Sequence, residues 1–166
     1  MNTFPASVCI VDDDYEFASF LRQYLEARGC KARSFGSAED LLQSDAIAQT
    51  DLFIFDLMLP GIDGVDLISL VRNHTAAGIL VISGRMGPDS FNSALAAGAD
   101  MFINKPVRFD QVYHAMASIA RRAVATPVAK QLWQLSRAQE FLTAPSGQRI
   151  ALSRIETQLL DALQAA

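Results

Sequence analysis

Short apolar runs alternate with helix-patterned stretches along the first three quarters of the chain, and few architectures accept that alternation. SVCIV at Ser7–Val11, LFIF and its carboxylate at Leu52–Asp56, GILVIS at Gly78–Ser83 and MFIN at Met101–Asn104 read as strands, with Lys31–Phe35 as a weaker fifth. Between the first two runs, Phe17, Phe20, Leu21, Tyr24 and Leu25 fall on one face of a helix that Gly29 should end. Ser37 is placed to cap a short helix to Leu42, and Leu67, Ile68 and Val71 mark another. Pro88 opens a helix that carries Phe91 and Leu95 one turn apart and stops at Gly98. Val112, Met116 and Ile119 mark the last one. Runs such as ILVIS are apolar on both faces, as parallel strands covered by helices on each side must be. The expected fold is therefore α/β, an open, doubly wound sheet of five parallel strands, with its site beyond the strands' carboxyl ends.

That rule can be applied residue by residue. Asp12 and Asp13 follow the first strand, Asp56 ends the third, Ser83 and Gly84 close the fourth, and Lys105 and Pro106 follow the fifth. Any one of these has an ordinary explanation, as a solvated loop acid, a helix cap or a surface lysine. Together they bring three acids, a hydroxyl and an ammonium to one edge of the sheet. Carboxylates about 4 Å apart repel by about 4 kcal/mol per pair at an effective dielectric near 20, so they take up protons or gather around a cation. A few hard oxygens with room for water favour Mg²⁺. Asp56 is then the central candidate for a nucleophile toward a phosphoryl group. Lys105 and the metal would neutralise the transferring oxygens, Ser83 would donate a hydrogen bond, and Gly84 would leave space.

Composition narrows the class further. The 166 residues suffice for one full domain and part of another. No apolar run approaches the roughly 20 residues of a membrane span, and MNTFPAS has neither the basic start nor the apolar core of a signal sequence, so a cytoplasmic location is expected. Cys9 and Cys30 match no metal or redox spacing and are expected as buried thiols, while His74 and His114 lie on helices away from the strand ends. The net charge of −4 divides unevenly: residues 1–120 hold 8 Lys+Arg against 15 Asp+Glu, and residues 121–166 hold 6 against 3. That change of sign places a boundary near Arg121–Arg122.

VCIVDDD, LFIFDLMLPGIDG, VISG and GADMFINKP resemble, in order and spacing, the motifs of the receiver domain of two-component response regulators. The resemblance covers residues 1–122 and implies the flavodoxin-like form of the doubly wound sheet. It implies Asp56 as the phosphoacceptor of a sensor histidine kinase, and Asp12, Asp13, Asp56 and the Met58 backbone carbonyl as Mg²⁺ ligands. Ser83 and Lys105 would contact the phosphoryl group, Phe102 would be the aromatic switch coupled to Ser83, and the Lys105–Pro106 bond would be cis. Met58 and Arg85, flanking the site, offer no means of orienting a hydrolytic water, which implies a phosphoryl group lasting many minutes. Receivers of this class dimerise through charged pairs on the helix from Pro88, the next strand and the final helix. Here Ser90, Phe91, Ala96, Met101 and Ala115 stand at those places, so a homodimer is expected to use another, greasier contact.

The tail resembles the start of the winged-helix effector domain of the OmpR/PhoB class. The matching positions are Trp133, Leu135, Leu142, Pro145, Gly147, Ile150, Leu152, Ser153, Glu156, Leu159 and Leu160. This implies a linker at 123–128, then at 129–166 a small antiparallel platform with a Pro-Ser-Gly turn and a first helix capped by Ser153. Leu152, Ile155, Leu159 and Leu163 would give that helix its apolar face. The recognition helix and wing are not within these residues, so DNA binding is expected only of a longer form. The leading expectation is a phosphorylation-switched regulator of transcription, not an enzyme of many turnovers. The alternative is a receiver acting through protein contacts alone, as a phosphate sink or adaptor. A metal phosphohydrolase would want an acid where Met58 stands, and a dinucleotide-binding enzyme would want glycines where Asp12 and Asp13 stand.

Overall fold

The structure is a computed structural model, and it describes residues 4–84, 87–125, 134–136, 141–143 and 149–156. The chain divides into two compact units, 1–125 and 126–166. In the first, β1 (Ser7–Val11), β2 (Lys31–Phe35), β3 (Leu52–Phe55), β4 (Gly78–Ser83) and β5 (Met101–Asn104) form one parallel sheet in the order β2-β1-β3-β4-β5. Helices α1 (Tyr15–Glu26), α2 (Ala38–Leu42), α3 (Ala46–Gln49), α4 (Gly64–His74) and α5 (Pro88–Ala97) connect the strands, and α6 (Phe109–Ala125) follows the last of them.

The period of two along each strand sends alternate residues into two apolar layers. Cys9, Val11, Phe53, Phe55, Ile79 and Val81 face α2 to α5, packing on Leu41, Leu67, Ile68, Val71 and Ala94. Val8, Ile10, Leu52, Ile54, Leu80 and Ile82 face α1 and α6, packing on Leu21, Leu25, Val112 and Met116. Both faces of the central strands are therefore fully buried, as their unbroken apolar runs require.

Several boundaries differ from the sequence expectation. Strand β3 ends at Phe55, although the Asp56 N–H still donates to the Val11 carbonyl at 2.9 Å. Helix α1 is capped at Ala27, and Gly29, at φ 88°, turns the chain so that the Cys30 N–H reaches the Leu25 carbonyl. Helix α3 has no counterpart in the sequence pattern, since AIAQ is too short to show a period. Helix α6 runs through Ala125, so three residues of the expected linker, all good or tolerable helix formers, belong to it.

Within the second unit, β6 (Gln134–Ser136), β7 (Phe141–Thr143) and β8 (Arg149–Ala151) pair antiparallel in that order, with Leu142 in register with Leu135 and Ile150. A helical turn follows at 154–156. Its start is a capping box, in which the Ser153 N–H and hydroxyl both donate to Glu156 Oε2 at 2.8 Å and the Glu156 N–H returns to Ser153 Oγ at 3.4 Å. Trp133, Pro145, Ser146, Gly147, Leu159, Leu160 and Leu163 lie outside the described residues.

Candidate functional site

The end of β1 delivers Asp12, the end of β3 Asp56, the end of β4 Ser83, and the residue after β5 Lys105. All four meet. Asp12, Asp56 and Ser83 are buried polar groups, 3%, 5% and 0% exposed, in a layer otherwise made of hydrocarbon. Burial at that depth demands partners. Lys105 Nζ donates to Asp12 Oδ2 and to Asp56 Oδ2, at 2.7 Å each. Asp56 Oδ1 accepts from the Ser83 hydroxyl at 2.6 Å and from the Met58 N–H at 2.9 Å. Asp12 Oδ1 accepts from the Asp14 N–H at 2.9 Å. The backbone that carries Lys105 is pinned through its N–H to the Ser83 carbonyl at 2.9 Å, and its bond to Pro106 is cis.

One carboxylate oxygen from each of Asp12, Asp13 and Asp56 lies within 4.8 Å of the others. Asp13 is exposed, so the cluster is dry on one side and open to water on the other. An open depression beside it is lined by Asp13, Met58, Leu59, Pro60 and Asp63.

The two buried acids are shifted in opposite directions. Burial pushes Asp56 up, but hydrogen bonds from Lys105, the Met58 N–H and Ser83 outweigh it and leave the carboxyl below its usual range. For Asp12 burial wins over the bonds from Lys105 and the Asp14 N–H, and the nearby Asp56 charge adds to the rise. Lys105 is raised: burial alone would lower it, and its bonds to Asp12 and Asp56 overcome that. So the group best kept ionised is Asp56, the one with the most donors.

The loop after Asp56 is clamped from two sides. Gly64 opens α4 so close to the strand end that a Cβ there would stand 2.5 Å from the Asp56 carbonyl oxygen and from Leu57 Cα. Glu39 on α2 accepts from the Ile62 N–H at 3.2 Å, and Asp63 caps α4. Sequence reasoning held Gly64 only as the last residue of LFIFDLMLPGIDG and missed Glu39, because close approach between distant segments leaves no local pattern. It also read Phe17 only as a helix-face residue, whereas the ring centroid lies 4.7 Å from Lys105 Nζ.

Gly84 is exposed, with nothing within 4 Å of an added Cβ. Phe102 is half-buried on β5 and meets Phe91 edge-on, with 5.7 Å between centroids. The Met58 side chain is 59% exposed. Arg85 lies outside the described residues. Phe91 and Ala96 are exposed, and Ser90 and Met101 half-buried. Ala115 is not at an exposed interface: it turns into the core beside Val112 and Met116. His74 and His114 are exposed on α4 and α6. Cys9 and Cys30 are buried and unbridged, and burial pushes the Cys9 thiol up to about 12.

Comparison with known proteins agrees with this geometry. The family model of the response regulator receiver domain matches residues 8–117. The KDP operon transcriptional regulatory protein KdpE of Escherichia coli is 30% identical over 161 residues, covering 95% of this chain and 72% of that protein. The DNA-binding response regulator MtrA of Mycobacterium tuberculosis is 27% identical over 169 residues, covering 98% and 72%. Among solved structures, a CheY-like receiver domain protein from Methanospirillum hungatei superposes with a TM-score of 0.67 at 24% identity, over 72% of this chain and 96% of that one. A two-component response regulator from Clostridium difficile does so with 0.65 at 24%, over 71% and 98%. No helix among the described residues is long and apolar enough to cross a membrane. A five-stranded parallel sheet with an acid cluster at its carboxyl edge, matched to that model over residues 8–117, places this chain in the response regulator family of two-component systems, with a receiver domain as its first unit.

Proposed function

We propose that Asp56 accepts a phosphoryl group from the phosphohistidine of a sensor histidine kinase and that this modification switches the receiver's surface. The observation that carries the reading is the Asp56 carboxylate itself, buried, kept ionised, and bonded at once to Ser83 and Lys105. Asp12, Asp13 and Asp56 fit Mg²⁺, being hard oxygen donors within 4.8 Å with one exposed member leaving room for water. The Met58 carbonyl, on the clamped loop, would add a fourth oxygen. When bound, the ion supplies positive charge to the oxygens of the transferring group.

The chain's own residues do the rest. An Asp56 oxygen attacks phosphorus, the bond from phosphorus to the donor's imidazole nitrogen breaks, and that nitrogen keeps the electron pair and takes up a proton. Lys105 gives up its carboxylate bonds for a phosphoryl oxygen, and the Ser83 hydroxyl turns from Asp56 Oδ1 to another. Phe102, one residue before Ile103 in the strand paired with β4, would follow Ser83 inward. Met58, with its side chain in solvent, orients no water for hydrolysis, so the acyl phosphate would last for minutes. Release of one phosphoryl group per site at that pace is not the work of a multi-turnover enzyme.

The domain reading is the receiver expected at 1–122, with its last helix carried on to Ala125, the remainder of the expected 123–128 linker after it and, at 129–166, the opening platform of a winged-helix domain. Support comes from the antiparallel β6-β7-β8 sheet, from the Ser153–Glu156 cap and from relatives named as transcriptional and DNA-binding regulators. Control of transcription by a longer form follows from that reading, and a cytoplasmic setting with it. A second reading, action through protein contacts alone, draws on Phe91 and Leu95, 44% and 38% exposed on α5.

Incubation with Mg²⁺ and acetyl phosphate, followed by intact mass measurement, tests the central step. One added phosphoryl group on the wild type, and none on Asp56→Ala or in the presence of a chelator, is the expected result. An unmodified wild type, or a modified Asp56→Ala, overturns it.

A further inference from the structure

We infer that Phe17 is a positioning residue for Lys105, its ring face holding the ammonium above the two carboxylates; this rests on the phosphoacceptor reading of Asp56. A lysine stem has four rotatable carbons and no directional preference of its own, so something must limit where its charge rests. Asp12 Oδ2 and Asp56 Oδ2 bind Nζ at 2.7 Å each, and the Phe17 centroid lies 4.7 Å from it, inside the roughly 6 Å reach of a cation–π contact. The side chain is 24% exposed, so water competes on one quarter of its surface only.

The ring is itself fixed. Phe17 sits in the first turn of α1, where its N–H donates to Asp14 Oδ1 at 3.0 Å. Its ring meets Phe109, the first residue of α6, at 5.8 Å between centroids, and Phe109 meets Tyr24 at 5.4 Å. The Arg28 guanidinium, from the turn after α1, lies 3.6 Å over Tyr24 and closes the column. Two helices thus hold one aromatic face against the lysine. During transfer Lys105 must exchange carboxylate oxygens for a phosphoryl oxygen. The ring contact is broad enough to survive that exchange, and it keeps the ammonium from swinging into solvent while its other bonds are remade.

Phe17→Leu keeps the apolar bulk and removes the quadrupole. With Mg²⁺ and acetyl phosphate it should label Asp56 about threefold to tenfold more slowly, the range of a partly exposed cation–π contact. Packing loss could imitate that, so the deciding series places mono-, di- and trifluorinated phenylalanine at position 17. These rings keep the shape and drain the face step by step. Expected is a labelling rate that falls with each added fluorine while the unfolding midpoint stays constant, and a rate for Phe17→Trp equal to the wild type or faster. Rates indifferent to fluorine content, a Phe17→Leu protein as fast as the wild type, or rates that follow the unfolding midpoint overturn the inference. Normal wild-type labelling with a flat series defeats the role of Phe17 alone, whereas an unlabelled wild type defeats the Asp56 reading and this one with it.

Discussion

Asp56 answers the difficulty posed by a carboxylate at the end of an apolar strand. Its charge is neither neutralised by proton uptake nor left bare, because three donors converge on it: Lys105, the Met58 N–H and the Ser83 hydroxyl. A carboxyl whose folded pKa lies below its unfolded value, about 3.9, contributes stability above that value and loses it as pH falls toward the folded one. Asp12, shifted the other way by burial, has the opposite pH slope: its contribution is present at low pH and is lost as pH rises through its raised folded value. Urea midpoints of the wild type and Asp56→Asn, both without metal, should therefore differ at pH 6, and the gap should shrink as pH falls below about 4. A gap that widens on acidification would contradict the assignment. Gly64 makes a second demand at this scale. An added Cβ would meet backbone atoms of Asp56 and Leu57 at 2.5 Å, and neither is a side chain that can swing away. Gly64→Ala should cost about 2 kcal/mol by urea denaturation, the usual range of overpacking, and slow labelling of Asp56 by displacing the Met58 loop.

At the scale of elements, the strands were the most legible part of the chain. Four of the five strands of the parallel sheet keep the expected boundaries, because a strand buried on both faces must be apolar throughout and short. Ser37 and Pro88 mark helix starts where expected, since caps and N-terminal prolines act locally. Contacts between elements left no such mark. Arg72 on α4 shows why: its guanidinium donates to the Gly98 carbonyl at 3.0 and 2.8 Å, to the Ala77 carbonyl at 2.7 Å and to Asp100 at 2.9 Å. One side chain thereby ties the end of α5 to the start of β4, through residues 5 and 26 positions away for the two carbonyls. The half-exposed ion pair itself contributes little, and the carbonyls matter more. Arg72→Ala should lower stability by about 2 kcal/mol while leaving the labelling rate of Asp56 near the wild-type value, as Arg72 serves the end of β4 opposite Ser83. Arg72→Lys should not restore stability, because one ammonium cannot span three acceptors. A labelling defect in Arg72→Ala would show that the two ends of the sheet are coupled.

For the whole molecule, the site exists because five strands point the same way. Asp12, Asp56, Ser83 and Lys105 are separated by up to 93 positions in the chain, yet a parallel sheet must bring the carboxyl ends of its strands to one edge. That is why the constellation could be read from the sequence while the clamps around it could not: topology fixes where strand ends go, and only packing decides that Glu39, Gly64 and Phe17 reach them. The central claim is that these residues form one phosphoryl-accepting centre. A crystal structure of the protein with Mg²⁺ and beryllofluoride, which mimics the acyl phosphate, tests it most directly. The expected result is a beryllofluoride adduct on Asp56, the ion among the carboxylates of Asp12, Asp13 and Asp56, and Lys105 Nζ moved from Asp56 Oδ2 to a fluorine. An adduct on another residue, or Lys105 still bridging Asp12 and Asp56 with both ligands bound, would contradict it.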